Sequence, residues 1–163
     1  MIRYRVHRAN DVNKAMLLRL KNFTNDPSRG DVRDNGTHAG SKFSRLIDER
    51  LAGERFPRDT WIIIAWDLVT ITGWAMLTRV ETSAVRSGFA VGDVGLYVHP
   101  QFRRQGFAHG LIQEASEVAR KNRMHTMVGN PWNAASHACF TRAGFTDPPG
   151  TGGKVCKQLV TWH

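Results

Sequence analysis

The densest chemistry in this chain lies in Asp93-Val-Gly-Leu-Tyr-Val-His-Pro100-Gln-Phe-Arg103-Arg104-Gln105-Gly106-Phe107-Ala108-His109-Gly110-Leu111. A strand pattern runs into a short loop that carries Arg103 and Arg104. Gly106, Ala108 and Gly110 then place a small residue at every second position, where a helix pattern begins. The first amides of a helix have no intrahelical acceptor, and the helix dipole favours negative charge beside them. Phosphate oxygens bind at such ends. Gly106 and Ala108 let the backbone approach a ligand closely, and the two guanidinium groups add forked donors. The pattern describes a pyrophosphate cradle. The competing reading is a plain βα turn with exposed arginines.

These residues resemble a known family. The run Val98-His-Pro-Gln-Phe-Arg103-Arg-Gln-Gly106-Phe-Ala108 is similar to the acyl-CoA-binding signature of the GNAT acyltransferase superfamily, Q/R-x-x-G-x-G/A, with Arg103, Gly106 and Ala108 at the defining positions. Asn130-Pro-Trp-Asn133-Ala-Ala-Ser-His-Ala-Cys-Phe140-Thr-Arg142-Ala-Gly144-Phe145 resembles a later family segment, an Asn-capped helix ending in Gly-Phe. The close likeness spans residues 91 to 147, and the rest matches in element order. It implies a mixed, mostly antiparallel α/β sheet with central strands splayed beside a β-bulge and flanked by helices. It also implies transfer of an acyl group, usually acetyl, from acyl-CoA to an amine, with no metal. By this resemblance, amides of Arg104, Gln105, Gly106, Phe107, Ala108 and His109 hold the pyrophosphate. Backbone groups of Leu96 and Val98 pair with the pantetheine arm and acyl carbonyl. Asn133 bonds the pantetheine, and Arg142 reaches a phosphate.

The chain departs from the family pattern at Phe140, where many members carry the Tyr that protonates the leaving thiolate. Ser136, one helical turn earlier, and Cys139 are the available substitutes, and Phe140 keeps a packing role against the pantetheine. Many relatives place a carboxylate near the start of the signature strand, which makes Asp93 the first candidate for the base. Strand parity puts Asp93, Gly95, Tyr97 and His99 on one face and Val94, Leu96 and Val98 on the other. A solvated strand-end Asp is the competing reading. His99, just before Pro100, reads as exposed. Tyr97 reads as acceptor-site or core. His125 is the other base candidate, and a lone strand His is more often structural.

These groups need a scaffold, and the periodicity supplies one. Ile2 to Arg8 alternates as a strand. Asn10 or Asp11 caps a helix with Val12, Met16, Leu17 and Leu20 on its apolar face. Asn22 to Gly40 is a polar loop, and Ser41 to Leu51 returns to helical spacing. Thr60 to Trp66 and Thr70 to Val80 form a hairpin. Val91 to His99 is the signature strand and Phe107 to Asn122 the strongest helix, with Leu111, Ile112, Ala115, Val118 and Ala119 in one stripe. Met124 to Val128 is a strand. Asn133 to Ala143 is a helix capped by Asn133 and stopped by Gly144. Val155 to Trp162 closes the sheet.

Composition narrows the function classes. The 163 residues are 41% apolar and 23% charged, a globular mixture that suggests one acyltransferase domain over 1–163. Two Cys exclude a disulfide scaffold. The apolar run Trp61 to Trp66 is too short to span a bilayer, and the N-terminus has no signal-peptide core. A cytoplasmic protein is expected. The formal charge of +9 favours an anionic partner. Pro148-Pro-Gly-Thr-Gly-Gly-Lys154 imitates a P-loop, but Pro148 and Val155 break the template, so it reads as a turn. The seven His show no paired metal spacing. Arg120, Lys121 and Arg123 offset a helix dipole. Arg3, Arg5 and Arg8 protect an edge strand. The family resemblance implies a small-molecule or peptide amine as acceptor. The charge keeps two alternatives open: acylation of a nucleic-acid amine, or a non-catalytic acyl-CoA-binding module. In the 22–40 loop, Asp26, Asp31 and Asp34 oppose Arg29 and Arg33, so it does not name the substrate. The closing strand offers a dimer contact.

Overall fold

The computed structural model describes residues 1–25, 38–81, 90–131, 134–150 and 152–159. In chain order these form β1 (Ile2–Arg8), α1 (Lys14–Thr24), α2 (His38–Leu51), β2 (Thr60–Asp67), β3 (Thr70–Glu81), β4 (Ala90–Val98), α3 (Phe107–Lys121), β5 (Thr126–Gly129), α4 (Ala134–Arg142) and β6 (Val155–Gln158). The strands make one six-stranded sheet in sequence order. Every neighbouring pair is antiparallel except β4 and β5, which α3 connects in parallel. The expected α/β order is therefore present.

The run Trp61 to Ala65 is continuously apolar because β2 is covered on both faces. Trp61, Ile63 and Ala65 join Leu77, Val94, Leu111, Ile112 and Ala115 under α3. Ile62 and Ile64 join Trp74, Met76 and Tyr97 against Leu17, Leu20, Phe43 and Ile47 of α1 and α2. Each such fully buried side chain contributes about 1.5–3 kcal/mol of transfer free energy. Alternation along the strands thus sorts the core into an α3 face and an α1/α2 face.

β1 is an edge strand, so its arginines sit where charge discourages further pairing. Its apolar alternation is only partly buried. Tyr4 packs against the α3 cluster, while Ile2 and Val6 stay 44% and 43% exposed. The reason is reach: α3 comes close to β1 at Gly110, where an added Cβ would lie 1.9 Å from the Tyr4 hydroxyl oxygen. Gly110 therefore serves helix-to-strand packing.

The α1 cap also differs from expectation. Ala9–Asp11 is a 3-10 turn, and Asn13 is the cap, its Oδ1 accepting from the Met16 amide at 2.8 Å. Asn10 is already engaged: its Oδ1 accepts from the Phe56 amide at 2.8 Å, and its Nδ2 donates to the Phe56 carbonyl at 3.3 Å. Helix α1 continues to Thr24, which shortens the expected loop. Asp26, Arg29, Asp31, Arg33 and Asp34 lie outside the described residues, as does Asn133. The last strand ends at Gln158 rather than Trp162, and residues 160–163 lie outside the described residues.

Candidate active site

The site is built where β4 and β5 part. Their parallel pairing runs from Val91 and Thr126 to Val94 and Gly129, where β5 stops. β4 continues to Val98, held by β3 in unbroken register from Glu81/Ala90 to Gly73/Val98. The β3–β4 ladder itself carries no bulge; in the β2–β3 ladder the pairing steps from Ala65/Gly73 to Trp66/Ile71, which leaves Thr72 of β3 as the extra residue, next to the Val98 end of β4. The gap opens because β5 is short, and β4 itself is not kinked in register.

Backbone direction in the gap follows from two bonds. The His99 amide donates to the Thr72 carbonyl at 3.1 Å, and the His125 amide to the Ala90 carbonyl at 2.9 Å. Since strand residues alternate the side to which both backbone groups point, odd residues of β4 face β3 and even residues face β5. Leu96 and Val98 thus turn their N–H and C=O groups into the gap. The Val98 carbonyl is already bonded, accepting from Arg103 Nε at 3.0 Å. Of the Val98 backbone groups that leaves the amide as a donor aimed into the gap, and it gives Arg103 a part in fixing the end of β4.

The cradle follows at once. His99 leads into a 3-10 turn over Pro100–Phe102, its Nδ1 accepting from the Gln101 amide at 3.3 Å. Arg104 and Gly106 both take left-handed backbone, at φ 63° and 86°. Gly106 is the residue before α3 and caps it with no side chain. A Cβ there meets nothing within 4 Å, so the space above the first turn is open. Arg103, Arg104, Gln105, Gly106 and His109 are exposed and Ala108 is half-buried. The Gln105 side chain donates to the Gln101 carbonyl at 3.3 Å. Phe107 points its ring into the core, leaving only its amide for a ligand. Along α3 from His109, a groove of about 410 Å³ runs between α3 and α4, lined by Arg142, Arg120 and Lys157 together with Glu114 and Glu117. Burial, with a smaller push from Arg120, holds the Lys157 ammonium below its usual pKa.

On the α1/α2 side the gap opens as a cleft of about 180 Å³, lined by Asp93, Gly95, Val128, Asn130, Lys42 and Lys154 among others. Asp93 lies opposite Val128 and pairs with Lys42 of α2, Oδ2 to Nζ 3.8 Å, both side chains about half exposed. Sequence reasoning missed Lys42 and Lys154. Lys42 occupies a polar position of an ordinary amphipathic helix, and Lys154 ends the P-loop imitation. No spacing rule connects either one to Asp93; only the folded register does.

Other expected residues take different places. His99 is buried at 9% exposure, because Phe23 and Phe102 flank its ring at 5.7 and 6.1 Å, which corrects its reading as exposed. Tyr97 is core, edge-on to Phe23 at 5.6 Å. His125 is structural: its Nδ1 accepts from the Ala90 amide at 3.2 Å at the start of the β4–β5 pairing. Phe140 is 3% exposed, edge-on to Phe145 at 5.0 Å and directly over Gly129, where a Cβ would approach the ring to 2.6 Å. Ser136 is half-buried in α4 and is not among the residues that line the Asp93 cleft. Cys139 packs against the core, and Arg142 Nη2 lies 3.6 Å from its sulfur. Among the described residues no group of three or more His, Cys, Asp or Glu could hold a metal ion. No helix among them is long and apolar enough to cross a membrane.

Comparison with known proteins bears on this geometry. Residues 25–145 match the family model described as the acetyltransferase (GNAT) family. No curated protein sequence matches at a significant level. The yncA protein of Salmonella typhimurium, determined with its cofactor acetyl-CoA, is similar in fold at TM-score 0.62 and 18% identity, over 96% of this chain and 94% of that one. A Clostridium acetobutylicum protein determined with acetyl-CoA gives TM-score 0.64 at 16% identity, over 92% and 93%. The ribosomal-protein-alanine N-acetyltransferase of Brucella melitensis gives TM-score 0.63 at 19% identity, over 98% and 99%.

Proposed function

Because the chain belongs to the GNAT acetyltransferase family, we propose that residues 1–163 act as one domain that transfers acetyl, or another acyl group, from acyl-CoA to a primary amine. The reaction is a direct attack within a ternary complex. The observation that carries this reading is the parting of β4 from β5, with the Val98 amide directed into the gap and the α3 cradle beyond it. The residues fit the co-substrate. Open space over Gly106 accepts a pyrophosphate, the first-turn amides and the exposed Arg103 and Arg104 oppose its charge, and His109 and Arg142 flank it. Leu96 backbone groups receive the pantetheine amides along the gap, and the buried Phe140 ring packs against Gly129 at the end of β5. Asn133 is retained as a pantetheine partner on the family likeness alone.

Acyl-CoA supplies an activated thioester carbonyl. The amine enters from the α1/α2 side, where Asp93 takes its proton directly or through water. The Val98 amide donates to the carbonyl oxygen as negative charge develops there. The carbon–sulfur bond breaks as the carbon–nitrogen bond forms, and the thiolate is protonated from the α4 side by Ser136 or water. Among the described residues the cleft lining carries Lys42, Lys154 and the carboxylate of Asp93, with Lys42 paired to Asp93. That balance favours an acceptor amine bearing its own anionic group over a polyamine.

The test is calorimetric titration with acetyl-CoA, followed by thiol release across a panel of amines. Micromolar acetyl-CoA affinity is expected. Faster turnover of carboxylate-bearing amines than of spermidine is expected too. Absence of acetyl-CoA binding overturns the proposal, and preference for spermidine overturns the acceptor assignment alone.

A further inference from the structure

The net charge of +9 is not spent at the cradle. Much of it collects at the far end of α3. A surface groove of about 630 Å³ lies where β1 ends and β2 begins, lined by Arg8, Arg55 and Arg58 with Asn10 and Asp59. Arg8 Nη1 lies 3.5 Å from Asp59 Oδ1, and its guanidinium sits 5.2 Å over the Trp61 ring. The strip continues across the sheet. The Arg79 amide donates to the Asp59 carbonyl at 3.0 Å, and Arg79 Nη1 to the Asn122 carbonyl at 2.7 Å. Lys121 and Arg123 flank Asn122, both exposed. Arg8, Arg55, Arg58, Arg79, Lys121 and Arg123 thus form one cationic strip, with Asp11 and Asp59 as the carboxylates along the groove.

Part of this charge answers local needs, since cations at a helix C-terminus offset the dipole. That account does not reach Arg55 and Arg58, which are exposed and stand in the segment between α2 and β2. The strip is also separate from the cradle. Fifteen residues of α3 lie between Gly106 and Asn122, a span of about 22 Å at the helical rise. A ligand seated at the cradle does not cover it. Five of the six cations are arginine, whose fork matches phosphate oxygens. The aromatic rings beside the strip are buried, Phe56 at 3% and Trp61 at 5% exposure, so no ring is offered for stacking on bases.

We propose that this strip docks the phosphodiester backbone of nucleic acid, at a surface distinct from the acyl-CoA site and without reading sequence. Backbone-only recognition makes duplex of any sequence an adequate ligand, with affinity set by counterion release.

The test is fluorescence anisotropy of a labelled random-sequence duplex, titrated with the full chain over a series of salt concentrations. The variant R55S/R58S removes exposed cations from the groove. The control R3S/R19S removes the same charge from the β2–β3 turn, where both arginines donate to carbonyls of Leu68 and Val69. R55S/R58S is expected to weaken duplex binding roughly 10-fold and to lower the log–log salt slope by about 1.8. The control is expected to change both far less, and saturating acetyl-CoA is expected to leave the duplex affinity unchanged. Three results overturn the proposal. They are no duplex binding near physiological salt, equal losses in both variants, and displacement of the duplex by acetyl-CoA. Equal affinity for polyglutamate overturns it as well, because the surface would then read charge and not phosphodiester.

Discussion

The two ends of the gap between β4 and β5 are made differently. The cradle end is mostly main chain. Gly106 and the first amides of α3 are contiguous in sequence, and their geometry is set by two left-handed residues, Arg104 and Gly106, and one helix start. The end proposed to take the acceptor is lined by side chains from three separate elements: Lys42 on α2, Asp93 on β4 and Lys154 before β6. A main-chain site tolerates most side-chain changes and fails when the backbone path is blocked. A site assembled from side chains can change its substrate while the fold stands still. Under the proposed function, the co-substrate takes the first kind of site and the acceptor amine the second.

The largest effect is expected at the cradle. Gly106→Glu places a carboxylate where the proposed function puts the phosphates, and acetyl-CoA binding is expected to disappear in calorimetry. Gly106→Ala separates strain from blockage. A Cβ meets nothing within 4 Å, so its cost is the left-handed backbone at φ 86°, about 1–2 kcal/mol of stability. Retained affinity in the Glu variant places the phosphates elsewhere and removes the contrast between the two ends.

Next in size is Asp93→Asn. A general base contributes about 100-fold or more to rate. kcat with the amine acceptor is expected to fall by about that factor, with acetyl-CoA affinity unchanged. An equal loss of acetyl-CoA affinity breaks the comparison, because Asp93 then belongs to both ends.

The same contrast explains what was legible in the sequence. The turn from β4 into α3 could be read because it is one run of consecutive residues, and local spacing carries its geometry. The strands and helices could be read because burial on two faces leaves period-two and 3.6-residue patterns. The parity of β4 could be read too: Asp93 and Tyr97 face α1 and α2, while Val94 and Val98 face α3. Long-range partners could not. Asn10 reads as a cap until Phe56, 46 residues away, claims its side chain. His99 reads as exposed until Phe23 and Phe102 close over it. Ile2 and Val6 fit a buried alternation, yet they lie on an edge strand and stay largely exposed while Tyr4 packs against the α3 cluster. Lys42 has no sequence signal at all, since its proximity to Asp93 depends on how α2 packs on the sheet.

A smaller effect probes whether the two faces are energetically separate. Trp74 Nε1 donates to Thr24 Oγ1 at 2.8 Å in the α1/α2 core, and the Trp74 ring lies 4.0 Å from Phe43. Thr24→Val leaves a buried indole N–H without this acceptor, at a cost of about 1–3 kcal/mol. Urea unfolding reads that loss. Acetyl-CoA affinity is expected to hold, because the cradle rests on the α3 face. A parallel drop in affinity means that the faces are coupled through the sheet.

The smallest effect is a pH dependence. His7 lies opposite Ile62 on the α1/α2 face. Burial, helped by Arg5, holds its imidazole below the ordinary pKa of 6.5. The unfolded chain therefore takes up the proton first as pH falls. Stability is intact above 6.5 and declines as pH drops through that value toward the lowered one. His7 remains partly solvated, so screening keeps the effect small. The alkaline side is less clean, because two α3-face groups act there in opposite directions. Burial and Arg120 lower the Lys157 pKa, which makes stability rise with pH below 10.5. Burial and Glu114 raise the Tyr4 pKa, which makes stability fall above 10.0. The acid side thus isolates one face. Between pH values just above and well below 6.5, His7→Asn is expected to lose less melting temperature than the parent chain. An identical pH slope in both proteins removes His7 from the energetics of that face.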